Sequence, residues 1–171
     1  MKEGNAHLPK ILADNSSVLD SLHNHCHFAA HTVLTRLTES LSIPFGDYHR
    51  PGEPSETGLK LIEEPTVDKV SDVVENKHTD SGTFTILFYE QTSLQINIPN
   101  SEDWVFPPSP PPGCAIVHGG NSLKRISNNR LQSPLHRVTQ RRDGAGKRYF
   151  LSYFLRPEDA VKHSWAAAGA A

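Results

Sequence analysis

Two hydrophobic rhythms divide the chain. From Asp14 to about Ser42, apolar residues fall every three or four positions. Leu19, Leu22, Cys26, Ala29, Val33 and Leu37 therefore share one face of a predicted helix. Asp14, Ser16 and Ser17 each suit its N-cap, and Pro44 and Gly46 stop it. Residues 44–58, "PFGDYHRPGEPSETG", read as a loop. The pattern then shortens to strand-like runs: "LKLIEE" (59–64), "TFTILFY" (83–89), "SLQINI" (93–98), "CAIVH" (114–118) and "RYFLSYFL" (148–155). Each is bounded by Pro, Gly, Asn, Asp or Ser. Strands at this spacing, with no helices between them, predict an antiparallel sandwich or barrel. Residues 1–13 carry no pattern, and the tail "SWAAAGAA" is expected to fray. The proline run at 107–113 reads as a stiff connector between strands.

Composition narrows the class. A chain of 171 residues suits one domain with a single core. The formal net charge is -2, and basic residues cluster only around "RDGAGKR", which reads as a turn, so no nucleic-acid partner is expected. Cys26 and Cys114 form no C-x-x-C pattern. The start "MKEGNAHLPK" lacks an apolar core, and no run approaches a membrane span. The expectation is a soluble cytoplasmic protein with no membrane partner.

The stretch "NKHTDSGTFTILFYE" (76–90) carries the candidate chemistry. Residues i and i+2 of a strand point to one side, so His78 and Asp80 project together. An imidazole beside a carboxylate can clasp a divalent metal. A third ligand must come from elsewhere, and "SPLHRV" offers His136, 56 residues after Asp80. Two histidines and one carboxylate on one face of an octahedron leave three positions open. That arrangement favours non-haem Fe(II) and leaves room for a co-substrate and dioxygen. A surface ion pair would also explain H-x-D, and a core role would explain His136.

A second group competes. His23, His25, His27 and His31 crowd the helix, and the i, i+4 pair His27 and His31 could bind zinc. No H-E-x-x-H pattern accompanies them, and a solvated helix face is the simpler reading. Arg148 opens an apolar strand, where a guanidinium needs an anion. That anion is either an acid of this chain or the distal carboxylate of a dicarboxylic co-substrate, unless Arg148 is simply exposed at the strand end beside Lys147.

"HTDSGTFTIL" resembles the first ligand motif of the 2-oxoglutarate and Fe(II)-dependent dioxygenases, in the branch similar to isopenicillin N synthase. The match continues in order through "SLQI", "DWVFPPSPPPGCAIVHGGNSLKRISNN", "LQSPLHRV" and "KRYFLSYFLRPEDA". It covers about residues 59–160, and "YFLRPED" resembles fungal members that tailor secondary metabolites. The resemblance implies a mainly β fold, a double-stranded β-helix or jelly roll. This core would be incomplete at its amino-terminal side and preceded by one long helix and loop over 1–58, with 161–171 a disordered tail. It implies that His78, Asp80 and His136 ligate Fe(II) and that Arg148 holds the 5-carboxylate of 2-oxoglutarate. The implied reaction consumes O2 and hydroxylates, desaturates or cyclises a small organic molecule.

The chain departs from the family pattern in several places. Phe150 stands where the R-x-S motif has its serine, and Ser152, one pleat further on the same face, is the substitute. Glu63 and Glu64 fall where many members place a tyrosine that contacts the co-substrate, and an acid there repels a dicarboxylate. Asn121 replaces the aspartate of the Gly-Asp turn, and His118 sits where asparagine is frequent. The amino-terminal region common in the family is largely missing, so an exposed sheet edge and self-association through it are expected. The same departures support an alternative, a truncated and catalytically weak or inactive remnant or accessory protein. Iron chemistry without 2-oxoglutarate would leave Arg148 unexplained, and a zinc hydrolase would need a general-base motif the triad lacks.

Overall fold

In the computed structural model, residues 9–65, 76–89, 94–138 and 147–167 are described. Residues 1–8, the basic stretch at 141–146 and residues 168–171 lie outside them.

The predicted helix is present but begins earlier and turns a different face inward. Helix α1 (Lys10–Asp14) and helix α2 (Ser16–Leu41) meet at Asn15. The Asn15 side-chain amide reaches back to the Ile11 carbonyl at 2.8 Å. Residues 10–13, expected to be patternless, are thus helical. Helix α2 ends on Ser42, in the left-handed region at φ 55°. Its buried residues are Cys26, Ala30 and Leu34, with Leu22, Leu37 and Leu41 packed beside them. Ala29 and Val33, expected on this face, are exposed. The stripe is rotated by about one residue because Ala30 and Leu34 meet the sheet.

Among the described residues, seven strands form two antiparallel sheets. They are β1 (Gly58–Pro65), β2 (Phe84–Tyr89), β3 (Leu94–Asn97), β4 (Trp104–Val105), β5 (Ile116–Gly119), β6 (His136–Val138) and β7 (Lys147–Leu155). One sheet runs β1-β7-β2-β5 and the other β4-β3-β6. The strand expected at 114–118 begins two residues later. Alternation along β2 and β7 divides the interior. Phe84, Ile86, Tyr153 and Leu155 pack outward onto α2 and Phe45. Leu87, Leu94 and Phe150 fill the space between the sheets, joined by Ile62 and Val138. Burying each such large side chain contributes about 1.5–3 kcal/mol. Among the described residues, strand β1 is the outermost strand of its sheet.

The carboxyl-terminal expectation fails for residues 161–167. Residues 161–167 belong to α4 (Asp159–Ala167) instead of a disordered tail. Trp165 anchors it, 6.2 Å from the Tyr48 ring and under the Arg125 guanidinium at 4.8 Å. Lys162 adds contacts to Glu56 and Asp159, each at 2.8 Å. Both cysteines are free. Among the described residues no helix is long and apolar enough to cross a membrane.

Candidate metal centre

Backbone pairing brings the distant ligands together. His78 and His136 form an isolated antiparallel bridge, each amide donating to the other's carbonyl at 2.9 Å. Their rings stand 4.4 Å apart. The Nδ1 of His78 lies 2.9 Å from the Asn76 carbonyl, and that of His136 lies 3.1 Å from the Pro134 carbonyl. A carbonyl only accepts, so each Nδ1 carries the proton and each Nε2 keeps a lone pair. Both Nε2 atoms face Asp80 Oδ1, at 3.6 Å and 3.8 Å.

These distances test whether the residues fit a metal. Directly hydrogen-bonded imidazole and carboxylate would sit at about 2.7–2.9 Å. The three ligand atoms instead lie within 4.8 Å of one another with a gap between them. Neighbouring ligands on an ion with bonds of about 2.1 Å are roughly 3 Å apart, so small side-chain movements close the set. Burial lowers the His136 pKa, opposed by the bond to Pro134 and the nearby Asp80, so the ring stays in its ligating neutral form. The residues fit a divalent ion.

The second carboxylate oxygen is held separately. Asp80 Oδ2 accepts a hydrogen bond from Thr85 Oγ1 and lies 3.5 Å from His118 Nε2. This leaves Oδ1 to the ion. The backbone around Asp80 is fixed by the start of α3 (Asn121–Ile126). The Asn121 amide donates to the Asp80 carbonyl at 2.7 Å, and Ser122 binds the Ser81 carbonyl through its hydroxyl at 2.7 Å. Asn121 donates its side-chain amide to Thr79 Oγ1 at 3.0 Å.

A cavity of about 290 Å³ opens beside the triad, a size at the lower end for small-ligand sites. Lys60, Ile62, Leu87, Phe150 and Ser152 are among its walls. Ser152, expected to help bind a co-substrate, is therefore at the cavity. Arg148 is 2% exposed, one pleat beyond Phe150 on the same face of β7, and is not itself a wall residue. Its register partner on β1 is Glu64. Sequence reasoning missed Thr85 and Lys60. Thr85 had a signal, a polar residue within an apolar run. Lys60 faces the cavity only through its register with Ser152.

The helix histidines are not on a solvated face. His23, His27 and His31 are half-buried, with His27 Nδ1 at 2.7 Å from the Tyr153 hydroxyl, and only His25 is exposed.

Comparison with known proteins follows the same lines. A family model described as the 2OG-Fe(II) oxygenase superfamily matches residues 59–157. The chain is 36% identical over 162 residues to the 2-oxoglutarate-dependent dioxygenase iboH of Amanita muscaria, covering 90% of this chain and 78% of that protein. It is 36% identical over 160 residues to the 2-oxoglutarate-dependent dioxygenase gloE of Glarea lozoyensis, covering 89% of this chain but 47% of that one. Among solved structures, carboxyl-terminally truncated T7H of Neurospora crassa in apo form superposes with a TM-score of 0.70 at 25% identity. That match covers 89% of this chain and 55% of T7H. The double-stranded β-helix of such oxygenases is the fold seen here. The chain spans about half the length of several relatives it matches.

Proposed function

The chain belongs to the 2OG-Fe(II) oxygenase superfamily, and from that membership we propose that it is an Fe(II)- and 2-oxoglutarate-dependent dioxygenase acting on a small organic molecule in secondary-metabolite biosynthesis. The observation that carries this reading is Asp80, whose Oδ1 faces two imidazole lone pairs while Oδ2 is held by Thr85. His78, Asp80 and His136 would hold the iron. With 2-oxoglutarate and O2, the bound iron supplies an oxidant for hydroxylation, desaturation or cyclisation, leaving succinate and carbon dioxide.

The chain's own residues supply binding and shelter. Arg148, buried on the strand that leads into the cavity, suits the distal carboxylate of 2-oxoglutarate through its planar fork. Ser152 offers a hydroxyl in place of the one lost at Phe150. Leu87, Phe150 and Phe154 make the wall apolar and keep water from the reacting groups. His78 has a side chain 48% exposed, so substrate would enter from its side of the triad.

Succinate release from 2-oxoglutarate under air, with iron present, tests the reading. Release that disappears in Asp80→Ala supports it, and no release from the unaltered protein contradicts it. Two observations favour a second reading, a catalytically weak or inactive remnant: Phe150 in place of serine and Glu64 in register with Arg148. That protein would bind iron without turning over 2-oxoglutarate. A cytoplasmic location and self-association through the open β1 edge belong to the same proposal. A second copy's β1 would pair antiparallel with it, and sedimentation would then report a dimer.

A further inference from the structure

Helix α2 carries a row of histidines that the dioxygenase reading leaves unused. His23, His27 and His31 recur every four residues and so stand on one face. The His23 and His27 rings stack at 5.9 Å, and the His27 and His31 rings lie 4.3 Å apart. That face turns towards the protein, where the His31 ring stands perpendicular to His49 at 6.3 Å. His27 and His31 line a cavity of about 80 Å³ between α2 and the loop that follows it. This cavity shares no wall residue with the one beside Asp80.

The hydrogen bonds divide these imidazoles into two kinds. His49 is fully engaged, with Nδ1 donating to the Phe45 carbonyl at 2.9 Å and Nε2 at 2.8 Å from Thr83 Oγ1. His27 is engaged on one side only. Its Nδ1 meets the buried Tyr153 hydroxyl at 2.7 Å, and with Nδ1–H donating to that oxygen the Nε2 lone pair is left for a metal, as an outer partner leaves it in a ligating histidine. The His31 ring has no hydrogen-bond partner among the described residues. Burial lowers the pKa of both His27 and His31, with adjacent imidazoles adding to it, so both are neutral and able to ligate at pH 7. Arg50 and Arg156 on the cavity wall are matched by Glu53 and Glu158, so no net positive charge repels a cation there.

We propose that His27 and His31, one turn apart on α2, form a second metal site, separate from the His78–Asp80–His136 centre, for an imidazole-seeking dication such as Zn(II), Ni(II) or Cu(II). Two histidines leave the remaining positions to water. An ion there would brace successive turns of α2 where the helix meets the sheet.

Zinc titration by calorimetry at pH 7.5 tests this. The unaltered protein should bind two equivalents, and an Asp80→Ala/His136→Ala variant should keep one. Adding His31→Gln to that variant should weaken the remaining site at least tenfold, with the helical circular dichroism unchanged. If the double variant does not fold, His31→Gln alone serves. It should bind one zinc in place of two and retain the visible band formed with Fe(II) and 2-oxoglutarate. Zinc stoichiometry unaffected by His31→Gln, or no zinc bound once the first centre is disabled in a folded protein, would overturn the proposal.

Discussion

His78 and His136 are joined through their backbones, each amide donating to the other's carbonyl at 2.9 Å across 58 residues of sequence. Backbone pairing therefore sets where the two rings stand. Both tautomers are set by local carbonyls, and the carboxylate is oriented by Thr85.

Thr85→Val tests the part played by the outer oxygen of Asp80. The substitution keeps shape and removes only the hydroxyl. Fe(II) affinity should fall roughly 10–100-fold, the range for lost outer-shell partners, while the fold persists. Unchanged affinity in a competition titration would show that Asp80 needs no such support.

Gly120 sits against the ligand loop. A Cβ there would collide with the carbonyl of Gly82 and press on that of Asp80. Both are backbone atoms, so the 80–82 turn must move. Gly120→Ala should destabilise by about 1–3 kcal/mol in urea unfolding and weaken metal binding as well. A loss of stability with metal affinity intact would separate the turn from the site.

The face that α2 buries can be checked with two neighbours. Leu34 is 2% exposed and Val33 is 40% exposed. Leu34→Ala should destabilise by about 2–5 kcal/mol. Val33→Ala should stay within about 0.5 kcal/mol. The reverse order in denaturant melts would restore the stripe that periodicity alone suggests.

Acid should weaken the fold through its buried histidines. Burial is the leading cause that lowers the pKa of His27, His31 and His49 below the ordinary value of 6.5. Below pH 6.5 the unfolded chain takes up protons that the folded one resists, so stability falls as pH drops and is fully present above that point. The melting temperature should decline between pH 7.5 and 5.5, and His49→Gln should flatten the decline. A flat profile in the unaltered protein would contradict this.

Part of the candidate site was legible in the chain because His78 and Asp80 stand two residues apart, although Asp80 lies in the loop before β2 and not on a strand. The long runs of β1, β2 and β7 were equally readable. What periodicity could not decide was the face of α2, since Ala29 and Ala30, like Val33 and Leu34, are adjacent apolar pairs. Helix α4 was missed because its alanines carry no strong stripe and its anchor, Trp165, works through Tyr48 and Arg125 far along the chain. Strands β4 and β6 are too short to show alternation. The contact of His118 with Asp80 depends on the pairing of His118 with Thr85 across β2 and β5, which no local pattern records.

Anaerobic addition of Fe(II) and then 2-oxoglutarate, followed by visible absorption, probes the His78–Asp80–His136 centre most directly. A weak charge-transfer band should appear in the unaltered protein and vanish in Asp80→Ala and His136→Ala, each checked for retained fold. No band and no retained iron in the unaltered protein, or an undiminished band in Asp80→Ala, would contradict the account.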